Sequence, residues 1–298
     1  MEESFSTRPL VGRWIALDVR PTRPLTFLGP SWAALCGVLA SGGLAFRGQS
    51  LLFLVLCLLL CDALLGAWRA LWLQSDWRDA LRRSSMVTPT WLDTSQELST
   101  PRWMRGGQRI RRRVTQFRQV IWPIVDSEIV GLLIIGSLAL CIAIVLSQAN
   151  PVPLALTGVI MLFSLIEGRI GTSRGAGLRS IAEIALPWMI AQTAFGSFSL
   201  LSLVFALAFT LVYRALLGLA ITRNSRWMAW SNLPQVLLVL LLVALHTPIG
   251  VGLVLLGLLA QILWQVRYYS DRDGQSYARH VQSYVLVAML VAGFSLWF

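Results

Sequence analysis

An all-helical bundle built within a membrane is the fold class this sequence predicts, on three observations. Of its 298 residues 56% are hydrophobic and only 13% charged, with formal net charge +11; mean hydropathy is +0.68. That balance excludes an ordinary soluble domain and a disordered chain. Apolar runs of membrane-crossing length recur along the chain. The basic residues, all 25 of them arginine, fall almost entirely between alternate runs.

Taken in order, the first 26 residues are polar and carry four Arg, which reads as a cytosolic N-terminal segment without a cleavable signal peptide. Residues 27–298 form the membrane domain, with helices expected near 27–46, 50–73, 123–147, 152–167, 181–196, 198–221, 233–247, 248–266 and 281–298. Gly48, Pro151, Pro153, Gly196 and Pro248 punctuate successive runs. With nine spans, 24 of the 25 Arg collect on one side and Arg47 alone on the other. The positive-inside rule then puts the N-terminus in the cytosol and Phe298 outside, in a multi-pass protein of the cytoplasmic membrane.

Residues 101–122, interposed between the second and third spans, hold Arg102, Arg105, Arg109, Arg111, Arg112, Arg113 and Arg118 among Trp103, Ile110, Phe117 and Trp122. That mixture predicts an interfacial amphipathic segment on anionic lipid. Nucleic acid is not expected as a partner, because the segment is tethered at the headgroups. Cys36, Cys57, Cys61 and Cys141 all lie in apolar runs and read as packing residues. His246 and His280 lack metal-ligand spacing, and no Ser/His/Asp set suggests a hydrolase.

Asp62, Arg69, Asp76 and Arg83 are spaced seven apart along the second span and its extension. Seven residues return to nearly the same face of a helix. A charge facing lipid is costly, so this stripe should face protein or a polar cavity, with Asp62 and Arg69 inside the membrane. Two readings follow, an internal ion-pair ladder and the wall of a cavity open to the cytosol. Asp76 and Asp79 share one helix face, the arrangement that holds Mg²⁺ through oxygen ligands against a phosphate. The stretch from Glu167 to Arg179 mixes glycine with Arg169 and Arg174. As a loop it would cradle a phosphate through backbone N–H groups and guanidinium forks.

The entry Arg20-Pro-Thr-Arg-Pro24, the D-x-x-D at Asp76 and Asp79, and the closing Tyr268-to-Tyr284 stretch together resemble the UbiA superfamily of intramembrane prenyltransferases. The resemblance implies a nine-helix bundle with its active site toward the cytosol and two Asp-rich motifs that bind Mg²⁺ and an isoprenyl diphosphate. It implies that Asp76 and Asp79 are the catalytic, metal-binding pair. Arg169 falls on the family's basic position near the end of the fourth span, and Arg174, Arg223 and Arg226 are the further diphosphate-binding candidates. The chain departs from the family in its second motif: no acid of any kind lies between Glu183 and Asp271. Two functions are expected on this basis. One is a divergent prenyltransferase joining an isoprenyl diphosphate to a lipophilic aromatic, quinone or pigment precursor. The other is a non-catalytic UbiA-like subunit, a pseudoenzyme, that binds lipid, quinone or pigment within a larger membrane complex.

Overall fold

The computed structural model describes residues 28–43, 48–74, 122–170, 172–196, 198–222, 226–271 and 274–297. Among them there is helix and no strand. The helices are α1 (Pro30–Ala40), α2 (Gly48–Leu58), α3 (Leu65–Gln74), α4 (Trp122–Leu146), α5 (Val152–Ile170) and α6 (Thr172–Ser180). They continue with α7 (Leu186–Phe195), α8 (Leu200–Thr222), α9 (Arg226–Ala244), α10 (Pro248–Asp271) and α11 (Gly274–Trp297). Two π-helical segments join their neighbours end to end: Leu59–Leu64 between α2 and α3, and Ile181–Ala185 between α6 and α7. Pro187 accounts for the second. It has no N–H for the Glu183 carbonyl, and a widened turn relieves the clash.

Among the described residues seven helices are long and apolar enough to cross a membrane: the α2–π–α3 unit and α4, α5, α8, α9, α10 and α11. The chain is therefore a multi-pass membrane protein. Each of the nine expected runs coincides with a helix, but α1 has only 11 residues. Thr172–Phe195 is interrupted by polar Ser180, Glu183 and Gln192. Buried residues form two clusters. One joins α1 and α7 to α8, α9, α10 and α11, and the other joins α1 and α7 to α2, α3, α4 and α5.

The helices α1 and α7 are thus the spine between two halves, and their own contact is the most extensive among the described helices. The reason is the residue set of α1, where Ala33, Ala34, Gly37 and Ala40 are all buried. Small side chains let backbones approach where lipid supplies no hydrophobic drive. A Cβ on Gly37 would stand 2.1 Å from the Trp188 carbonyl oxygen. After α1 the chain turns at Gly42, whose φ of +66° lies in the left-handed region that glycine tolerates.

In the second half, amides stitch the lipid-facing helices together. Gln235 donates to Gln261 at 2.7 Å, and Gln261 donates to Asn232 at 3.0 Å and to Ser231 at 3.2 Å. Gln265 donates to Asn232 at 2.8 Å and to the Tyr277 hydroxyl at 3.2 Å. Gln261 is fully buried, so its amide has no water to fall back on. Replacing Gln261 with Leu is expected to cost about 1–2 kcal/mol, the upper range for interhelical hydrogen bonds in a membrane. Thermal unfolding in detergent checks this; an unchanged midpoint would mean that the ladder adds nothing.

Candidate functional site

Charge is scarce in the described interior, and most of it meets at one place. Arg69 on α3 donates through Nη2 to Glu167 Oε1 of α5 at 2.8 Å, and through Nη1 to Glu183 Oε1 of the second π segment. Arg179, one turn before Glu183, donates from Nε to both of its carboxylate oxygens at 3.2 and 3.3 Å. The Tyr213 hydroxyl of α8 donates to Glu183 Oε2. Glu183 therefore accepts from three helices' side chains at once. Arg69, Glu167, Glu183 and Tyr213 are all buried.

The local sequence builds this cluster. Gly175 faces Glu167, where a Cβ would come within 2.7 Å of the Glu167 Cγ. Gly168 faces the Trp72 indole and Gly136 faces the Trp68 ring, which lets α3 sit tightly against α5 and α4. Gly177 faces the guanidinium of Arg214, with Nη1 only 2.8 Å from the Cβ position. The Gly-rich stretch is thus a helix, α6, rather than a phosphate-cradling loop. Gly175 and Gly177 serve as seats for side chains of α5 and α8.

The cluster balances its own charge. Two guanidiniums face two carboxylates, which offsets the desolvation cost that any one of them would pay alone. Each carboxylate of the cluster already faces a guanidinium. Among the described residues no group of three or more His, Cys, Asp or Glu lies close enough to hold a metal ion.

Asp76, Asp79 and Arg223 lie outside the described residues, as does the basic segment through residue 121. Arg174 falls in α6, with its side chain outside what is described. Arg169 is exposed in the last turn of α5, and Arg226 is exposed at the start of α9. Asp62 is half-buried in the first π segment and makes no ion pair with Arg69. Of the expected stripe, Arg69 joins this cross-helix cluster, while Asp76 and Arg83 lie outside the described residues. Glu183 and Tyr213 were not expected at the site, and Arg179 was expected only as part of the Gly-rich stretch. The available signal was the i, i+4 spacing of Arg179 and Glu183 inside an otherwise apolar run.

The fold and this site define a multi-pass helical membrane protein with a charge-neutral cluster buried near one end of its bundle. No family model, no curated protein and no solved structure matches the chain.

Proposed function

We propose that the protein is a non-catalytic, UbiA-like membrane subunit that binds a lipid, quinone or pigment within a larger complex. The observation that carries this reading is the closed cluster of Arg69, Glu167, Glu183, Arg179 and Tyr213. Transfer from an isoprenyl diphosphate needs metal and cations to neutralise the leaving group. Here the buried acids and two of the guanidiniums neutralise one another. In this reading α1 and the unit Thr172–Phe195 also cross the membrane, giving nine spans. The arginine-rich end faces the cytosol, and the membrane is the cytoplasmic one.

A second reading, the divergent prenyltransferase, is favoured by one observation: Arg169 is exposed at the end of α5 and makes no ion pair with a described residue. In that reading Asp76 and Asp79 hold one Mg²⁺, and Arg169, Arg174, Arg223 and Arg226 hold the diphosphate of the donor. Turnover separates the two. Purified protein would be incubated with geranylgeranyl diphosphate, Mg²⁺ and a panel of aromatic and quinone-precursor acceptors, with released diphosphate measured. Our reading expects release no faster than in the protein-free control. Release that disappears in Asp76→Ala/Asp79→Ala would establish the transferase instead.

A further inference from the structure

Arg214 is the one described arginine inside an apolar span for which neither the buried cluster nor the helix ends account. It lies within the span Leu200–Ala220 of α8, six residues before its end, or about 9 Å along the axis. Its neighbour Tyr213 turns inward to Glu183, while Arg214 itself is exposed and has no hydrogen-bond or ion-pair partner among the described residues. It is nonetheless held in place. The guanidinium rests against the bare Cα of Gly177, with Nη1 at 2.8 Å, Cζ at 3.3 Å and Nη2 at 3.8 Å from where a Cβ would be. Any larger residue at 177 would fill that space, so the local packing of α6 leaves room for this one cation.

An unpaired guanidinium at such a depth is costly unless an anion reaches it. The nearby carboxylates are committed: Glu167 to Arg69, and Glu183 to Arg69, Arg179 and Tyr213. From that depth a long arginine side chain reaches toward the headgroup level, where lipid phosphate oxygens match a guanidinium fork bidentately.

We propose that Arg214, seated on Gly177 between α6 and α8, is a binding site for the phosphate of an anionic membrane lipid. The site is separate from the neutral cluster and does not depend on the protein's being an enzyme or a subunit. The lipid docks with its phosphate on Arg214 and its acyl chains along the exposed side of α8, where Leu207 and Leu211 present apolar surface on the same stripe.

The test is lipid retention measured by native mass spectrometry. Detergent-purified protein is exposed to phosphatidylglycerol, to phosphatidylcholine, or to inorganic phosphate. The expected result is selective retention of phosphatidylglycerol by the wild type. Apparent affinity should fall about tenfold in Arg214→Gln, as for loss of a charge-assisted hydrogen bond. It should also fall in Arg214→Lys, which keeps the charge but loses the fork. Arg279→Gln, an equal charge loss at an exposed position of α11, should leave retention unchanged. Arg214→Lys keeps the inference testable should the Gln variant fail to fold. Equal retention of both lipids by the wild type, retention in Arg214→Lys matching wild type, or occupancy by inorganic phosphate without any lipid would each overturn it.

Discussion

Removing the Glu183 carboxylate is expected to destabilise this protein more than any other single charge change. Glu183→Ala leaves Arg69 with Glu167 alone, strands Arg179, and takes the acceptor from the Tyr213 hydroxyl. Breaking a buried pair by deleting one partner costs about 3–5 kcal/mol. A chain of this size should then unfold on the order of 10 °C earlier. Glu183→Gln keeps the shape but removes the charge, and should lose most of the same stability. Thermal unfolding in a fixed detergent measures both. A double-mutant cycle with Arg69→Gln isolates the pair and should return a coupling of about 1–3 kcal/mol. Near-zero coupling would mean that the cluster is bystander chemistry and that apolar packing alone holds α3 to the second π segment.

The second large effect is steric. Gly37→Ala puts a carbon 2.1 Å from the Trp188 carbonyl oxygen, where a relaxed carbon–oxygen contact needs about 3.3 Å. The obstacle is backbone, so it has no rotamer to change. Helices α1 and α7 must separate, and they are the spine on which both buried clusters rest. We expect a loss of about 3 kcal/mol, the upper end of overpacking costs. Gly158→Ala makes the matched control, because its Cβ would meet nothing within 4 Å. That change should be neutral or stabilising, since alanine is the better helix former by roughly 1 kcal/mol. Equal behaviour of the two variants would show that the α1–α7 contact is not close-packed in solution.

The helices were legible because each is a long apolar run bounded by glycine, proline or arginine. The nature of α1 was less so: as sequence it is another span, and only its burial on several sides marks it as a spine. Asp62 and Arg69 were readable as intramembrane charges. The partners of Arg69 were not, because they lie on other helices. Arg69 finds Glu167 and Glu183 at separations of 98 and 114 residues, which spacing along the chain cannot report. The glycines of α6 misled for a related reason. A phosphate-cradling loop and a helix that admits neighbouring side chains use the same residues, and the contacts to Glu167 and Arg214 decide between them.

We propose that the buried charges here are spent on one another rather than on a metal-bound diphosphate. The most direct measurement is binding of geranylgeranyl diphosphate to detergent-purified protein with and without Mg²⁺, in the wild type and in Asp76→Ala/Asp79→Ala. No Mg²⁺-dependent component is expected, and the two proteins should give identical isotherms. Binding that requires Mg²⁺ and vanishes in the double variant would contradict it and restore a working diphosphate site.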